Sequence, residues 1–123
     1  MRVSYYNIGC KVNYAEITEI TELFVKDGAE IVHFGETADV TLINTCSVTG
    51  RADADSRKII RRARRYSPKA IICVLGCYAQ MAPGEIADIE GVDLVLSMKD
   101  KFRAPELIKQ KMNVGLKSEI VNE

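Results

Sequence analysis

The stretch of sequence that decides the fold reads VTLINTC and occupies residues 40–46. Residues 40–44 are rich in apolar and β-branched side chains, which favours a strand. A continuous run of this kind is typical of a parallel strand that is buried on both faces. The stretch therefore predicts a buried parallel strand, and a thiol, Cys46, follows it almost at once.

Similar strand-like runs alternate with amphipathic stretches on either side. Strands are predicted at residues 3–8, 30–34, 40–44, 70–75 and 92–96. Helices are predicted at residues 16–26, 53–66, 83–89 and 104–111. This order predicts an α/β fold, in which an open, mostly parallel five-stranded sheet carries helices on both faces and so forms three layers.

The connection between the second and third strands is the ambiguous one. Residues 35–39 are too few for a helical crossover between neighbouring parallel strands. Either the two strands are antiparallel neighbours, or the connection passes across the first strand. The second arrangement gives the flavodoxin-like strand order 2-1-3-4-5, and it is the one that we expect.

The composition narrows the class of protein. The 123 residues suit one hydrophobic core, and 17 basic residues balance 17 acidic ones. The whole chain therefore has no net attraction for nucleic acid or membranes, so any RNA contact would need a local patch or another domain. No signal peptide or run of about 20 apolar residues is found, so we expect a cytoplasmic protein without membrane association. Cytosolic thiols are mostly reduced, which favours a metal or redox role for the four cysteines.

Three of the four cysteines share one setting. Cys10, Cys46 and Cys77 each follow a predicted strand and precede a predicted helix. The carboxyl ends of parallel strands lie on one edge of a sheet, so we expect these thiols to converge there. Thiolates favour zinc or an iron–sulfur cluster, and Gly9 and Gly76 are expected to let the backbone approach such a cofactor closely. The sequence has no CxxC pair, so three inert cysteines remain the alternative.

Other candidate residues are less informative. Cys73 lies inside the predicted fourth strand and is interpreted as a small buried hydrophobe. The basic run at residues 57–65 either is a solvated helix face, the favoured interpretation, or contacts phosphates. His33 is expected to have no ligand role.

Three motifs surround the candidate cysteines. They read GCKVN at residues 9–13 with Glu16 beyond, NTCSVT at residues 44–49 and GCYAQ at residues 76–80. In order and spacing they resemble the N-terminal domain of radical-SAM methylthiotransferases, over residues 1–111. The resemblance implies that Cys10, Cys46 and Cys77 ligate an auxiliary [4Fe–4S] cluster, which is associated in that family with the inserted sulfur. Such clusters normally have four cysteine ligands, so three would leave one iron open.

The resemblance also implies parts that this sequence lacks. Full-length members carry a radical-SAM domain, with a CxxxCxxC motif, S-adenosylmethionine and a second [4Fe–4S] cluster, and usually an RNA-binding domain. No CxxxCxxC motif occurs here. Residues 1–111 are therefore expected to be the auxiliary-cluster domain, with residues 112–123 a linker or disordered tail, and this piece alone is expected to be inactive.

Within the family, the motifs look most like those of enzymes that act on N6-threonylcarbamoyladenosine in tRNA. That branch inserts a methylthio group into an N6-modified adenosine next to the anticodon, so tRNA is the implied partner of the full enzyme and a radical-SAM domain its partner in cis. The alternatives are the isopentenyladenosine branch, a ribosomal-protein methylthiotransferase fragment, and a zinc-stabilised or inert-cysteine α/β binding domain.

Four polar residues near the cysteines are predicted to order the surrounding loops through side-chain hydrogen bonds. Asn13 and Glu16 lie three residues apart, which also fits the capping of a helix start. Asn44 and Gln80 flank Cys46 and Cys77, and ordinary loop polarity explains them equally well.

Overall fold

The computed structural model describes residues 1–8, 11–45, 50–76, 83–97, 100–114 and 119–121. Its strands are β1 (Arg2–Asn7), β2 (Glu30–Ile31), β3 (Val40–Thr45), β4 (Ile71–Gly76), β5 (Leu94–Leu96) and β6 (Glu119–Val121). Its helices are α1 (Lys11–Lys26), α2 (Gly50–Tyr66), α3 (Pro83–Ala87) and α4 (Ala104–Val114), with a 3₁₀ turn at Lys101–Arg103. None of the helices in these ranges is long and apolar enough to cross a membrane.

The strands form one sheet in the order β2-β1-β3-β4-β5-β6, and every neighbouring pair is parallel. Val3 of β1 is paired with Ile31 of β2 on one side and with Val40 of β3 on the other. The short connection after β2 therefore passes across β1. This arrangement confirms the α/β class and the predicted order 2-1-3-4-5.

The second strand is shorter than the predicted range of residues 30–34. Pairing with β1 stops at Ile31, although the backbone N–H of Val32 still donates to the carbonyl of Val3 at 2.9 Å. The backbone N–H of His33 donates to a side-chain oxygen of Glu36 at 2.7 Å, and Gly35 has a φ of +113°. A local turn of this kind replaces the ladder, so the prediction for residues 32–34 was wrong.

The segment at residues 112–123 also differs from the expected linker or disordered tail. Helix α4 continues to Val114, and residues 119–121 form β6. In this strand Glu119 pairs with Leu94 and Val121 with Leu96. Three residues are too few to show a periodic pattern, so this strand depends on its pairing with β5 rather than on a signal in its own sequence.

Two hydrophobic clusters lie on opposite faces of the sheet and produce the three layers. On one face, α1 and α4 bury Ile17, Ile20, Phe24 and Ile108 against the strands. On the other face, α2 and α3 bury Ile59, Ile60, Ala63 and Ile86. Every residue of β3 is buried, as expected for a central strand covered on both faces. The sheet therefore offers its carboxyl edge, rather than a face, for a functional site.

Candidate functional site

The carboxyl ends of β1, β3 and β4 lie side by side at one edge of the sheet. Asn7 is paired with Asn44, Asn44 with Leu75, and Thr45 with Gly76. Neighbouring strands in a sheet are about 4.8 Å apart. The chain therefore leaves three adjacent strands at the same level, which is where open α/β sheets bind ligands.

Each candidate cysteine follows one of these ends in the sequence. Cys10 comes three residues after Asn7, Cys46 directly after β3, and Cys77 directly after β4. All three cysteines lie outside the described residues, as does Gln80, and the side chain of Asn13 is likewise not described. Their assignment as ligands or loop-ordering residues therefore stays a prediction.

Two long helices begin at the same edge. Helix α1 starts at Lys11, five residues before the predicted start, and α2 starts at Gly50, three residues before. The first N–H groups of a helix lack intrahelical partners and carry a partial positive charge. Anionic ligands such as thiolates are stabilised at helix N-termini of this kind.

Side-chain and backbone hydrogen bonds join the ends of β1, β3 and β4. The buried Asn44 donates from Nδ2 to Oδ1 of Asn7 at 3.0 Å, and its carbonyl accepts from the backbone N–H of Ile8 at 2.8 Å. The hydroxyl of Thr45 donates to the carbonyl of Leu75 at 2.8 Å. These bonds fix the three strand ends relative to one another. Asn7 was not among the predicted site residues, although a polar residue at the end of a strand, two positions before Gly9-Cys10, was an available signal.

Gly76 ends β4 in a conformation that requires glycine. Its φ is +102°, in the left-handed region. A Cβ built on it would lie 2.8 Å from the backbone nitrogen of Thr45, 2.7 Å from Oδ1 of Asn44, and in contact with the Thr45 carbonyl oxygen. Gly76 therefore lets the end of β4 pack against the end of β3, and its role in the approach of a cofactor stays a prediction. Gly9, the other glycine of that prediction, lies outside the described residues.

Cys73 is buried in the middle of β4 and fully inaccessible. It belongs to the cluster beneath α1 and α4, which confirms its interpretation as a small hydrophobe. Burial, and to a smaller degree the nearby charge of Asp93, raises the pKa of the Cys73 thiol far above its ordinary value. It therefore cannot supply a thiolate at neutral pH.

No group of three or more His, Cys, Asp or Glu side chains suited to a metal ion occurs among residues 1–8, 11–45, 50–76, 83–97, 100–114 and 119–121. Glu16, the remaining predicted loop-ordering residue, is half-buried on α1.

A hollow lies beside the end of β1, at a place for which the sequence predicted no functional site. It has a volume of about 330 Å³. Its lining residues are Tyr6, Asn7, Ile8, Asp55, Lys58, Ile59 and Arg62. No spacing in the sequence links β1 to the middle of α2.

Comparison with known proteins identifies the family to which this chain belongs. A family model described as "Uncharacterized protein family UPF0004" matches residues 2–97, and the chain belongs to that family. The expected kinship with the N-terminal domain of methylthiotransferases is confirmed by this match and by the relatives.

Three relatives define that kinship. The chain is 50% identical to the threonylcarbamoyladenosine tRNA methylthiotransferase MtaB of Bacillus subtilis, over 88% of this chain and 24% of that protein. It is 37% identical to the MtaB of Aquifex aeolicus, over 100% of this chain and 30% of the relative. It is 30% identical to the ribosomal protein uS12 methylthiotransferase RimO of Chloroflexus aurantiacus, over 89% of this chain and 24% of that protein. The chain thus spans about a quarter of the length of these relatives.

Proposed function

We propose that this chain is the auxiliary-cluster domain of a tRNA methylthiotransferase, in which Cys10, Cys46 and Cys77 hold a [4Fe–4S] cluster. The observation that carries the proposal is the alignment of three strand ends at one edge, each followed by one cysteine. The substrate of the complete enzyme is an N6-threonylcarbamoyladenosine next to the anticodon, which becomes its 2-methylthio derivative.

The donor set fits an iron–sulfur cluster. Cys46 and Cys77 directly follow adjacent, paired residues, and Cys10 is only three residues from the next strand end. Such short tethers favour thiols that meet around one inorganic core. Thiolates are soft ligands that suit iron–sulfur clusters or zinc. The N-termini of α1 and α2 stabilise their negative charge.

The chain's own residues have positioning roles in this proposal. Asn44, Thr45 and Gly76 keep the three strand ends in register, and Asn13, Glu16 and Gln80 order the loops that carry the ligands. When bound through three thiolates, a [4Fe–4S] cluster supplies an iron with an open coordination position at which sulfur can be held. A rigid sheet edge would keep the starting points of the three cysteine-carrying segments fixed relative to one another.

The remaining chemistry belongs to the rest of the enzyme. A radical-SAM domain in cis, with S-adenosylmethionine and a second [4Fe–4S] cluster, would activate the adenine ring, and tRNA would be bound by the full-length protein. The proposal places the enzyme in the cytoplasm with its tRNA substrate. The greater identity to the two MtaB proteins than to RimO supports the tRNA branch over the ribosomal-protein branch.

Anaerobic reconstitution of single-cysteine variants tests the proposed ligands. Replacing any one of the three, for example Cys10→Ala, is expected to lower bound iron and acid-labile sulfide to less than about half, because two thiolates hold a cluster poorly. The visible absorption of the cluster is expected to fall in parallel. Iron and sulfide are measured per chain after removal of unbound metal.

Cys73→Ala is the matched control, since it removes a thiol that is buried in the core. It is expected to retain iron and sulfide at the level of the unaltered chain. Equal iron and sulfide in Cys10→Ala and in the unaltered chain would contradict the ligand assignment. Zinc bound without acid-labile sulfide would support a zinc-stabilised domain instead.

A further inference from the structure

Basic residues are concentrated on one helix although the chain as a whole is neutral. Six of its 17 basic residues lie within residues 57–65, so the remainder of the chain is net acidic. A local excess of this kind produces a positive potential that the total charge conceals. The structure shows which of these six cations serve the fold and which do not.

Arg64 and Arg62 are both engaged within the domain, and each makes contacts of its own kind. Arg64 donates to the carbonyls of Pro68, Ala70 and Gly91 and to the carboxylate of Asp93, at 2.7–2.9 Å. These bonds join the end of α2 to the starts of β4 and β5.

Arg62 makes contacts of a different kind. It donates to the Tyr66 hydroxyl at 3.2 Å, and its guanidinium lies 5.6 Å from the ring centre of Phe34. The contact with Phe34 is a cation–π interaction, which attaches α2 to the segment after β2.

Lys58, Arg61 and Arg65 differ from Arg62 and Arg64 in their exposure. All three are exposed, and none forms an ion pair with any residue that the structure describes. Together with Arg57 and Arg64 they line one side of an open cleft of about 690 Å³. The other side is formed by Ile89, Glu90 and Gly91, so among the residues that the structure describes one lining carboxylate, that of Glu90, faces several cations.

This spacing does not stabilise the helix. Arg57, Arg61 and Arg65 are four residues apart, and like charges at this separation on a helix repel one another. Acidic and basic residues that alternate at the same spacing would instead stabilise an exposed helix. An anion that binds along the row would relieve the repulsion.

The row of cations also has a direction. Helix α2 connects two parallel strands, so it runs from the carboxyl edge of the sheet back to the amino edge. From Arg57 to Arg65 the row extends about 12 Å along the axis. Lys58, near its beginning, also lines the hollow beside Asn7 and Ile8 at the end of β1. The basic cleft therefore continues into the edge that the three cysteines follow.

We infer that the α2 cleft binds the sugar–phosphate backbone of RNA and leads it toward the carboxyl edge of the sheet. The inference rests on the proposed function, because it is the RNA substrate whose base must reach that edge. Three features select a nucleic-acid strand as the occupant: cations repeated about every 6 Å, an open cleft, and continuity with the proposed site. Arginine is also well suited to bidentate contacts with phosphate.

RNA binding by paired double variants tests the inference. Arg61→Gln/Arg65→Gln removes two cations from the cleft, and Lys26→Gln/Lys109→Gln removes two exposed cations beside α1 and α4, on the opposite face of the sheet. A fluorescently labelled RNA stem-loop is titrated with each chain between about 50 and 200 mM salt. We expect the cleft variant to bind about tenfold more weakly and its log–log salt slope to fall by about 1.5, since each phosphate contact contributes about 0.7–0.9.

Two further measurements distinguish a specific loss of RNA binding from misfolding and from a failure of the cluster proposal. The cleft variant is expected to unfold at the same or a slightly higher temperature, because like-charged neighbours have been removed. It is also expected to retain the iron and sulfide of the unaltered chain, so a failure of the cluster proposal would appear only in the cysteine variants. Equal RNA affinity and salt slope in the two double variants would overturn the inference. Absence of RNA binding by the unaltered chain would overturn it as well.

Discussion

At the scale of single residues, Gly76 connects the fold to the proposed site. It lies at the end of β4, directly before Cys77 in the sequence. Its positive φ and its close packing against Thr45 exclude a side chain for two independent reasons. The other described glycines with positive φ, Gly28, Gly35 and Gly91, would meet no atom closer than 3.6 Å.

Gly76→Ala is therefore expected to lower the free energy of unfolding by about 2–4 kcal/mol, the sum of backbone strain and steric overlap. Urea unfolding followed by circular dichroism measures the change. Gly84→Ala is the control, because Gly84 lies in α3 with open space around it. This variant should be as stable as the unaltered chain, or more stable by up to about 1 kcal/mol. Similar losses in the two variants would show that the strain at Gly76 is not the cause.

At the scale of elements, the side chain of Arg64 attaches the end of α2 to the sheet. Arg64 reaches three backbone carbonyls and the carboxylate of Asp93, which itself accepts from the backbone N–H of Ile72 at 2.9 Å. A planar guanidinium can satisfy several acceptors in fixed directions, whereas an ammonium is a single point of charge. In the sequence, Arg64 cannot be distinguished from its basic neighbours.

Arg64→Lys is expected to lower the free energy of unfolding by about 1–3 kcal/mol, because part-buried acceptors lose their donors while the charge is kept. Arg65→Lys makes the same chemical change one residue along, at an exposed position, and should alter stability by less than about 0.5 kcal/mol. Unfolding in urea, with the slope m compared between variants, measures both. A loss in Arg65→Lys as large as in Arg64→Lys would contradict the assigned role.

At the scale of the whole molecule, the sheet separates two hydrophobic clusters. Ile20 on α1 belongs to one cluster, and Ile60 on α2 belongs to the other. Both side chains are fully buried. Side chains on opposite faces of a sheet share no contacts, so changes in the two clusters should act independently.

Ile20→Val and Ile60→Val are each expected to lower the free energy of unfolding by about 0.5–1.5 kcal/mol. The double variant should lose the sum of the two within about 0.5 kcal/mol, as measured by urea unfolding of all four chains. A larger difference from additivity would indicate that the two faces are coupled through the strands.

The sequence by itself determined the α/β class, the order of the central strands and the position of three cysteines after strand ends. These features depend on local patterns, such as the apolar run at residues 40–44 and the cysteine motifs, and the family match agrees with them. The ligand role of Cys10, Cys46 and Cys77 stays a prediction.

Only the tertiary structure decided the features that depend on pairing between distant residues. The length of β2 and the existence of β6 follow from neighbouring strands rather than from their own few residues. Packing likewise assigned Gly76 to the contact between two strands and Arg64 to the attachment of α2. A residue's type sets the interactions that it can make, but the fold decides which partners come within reach.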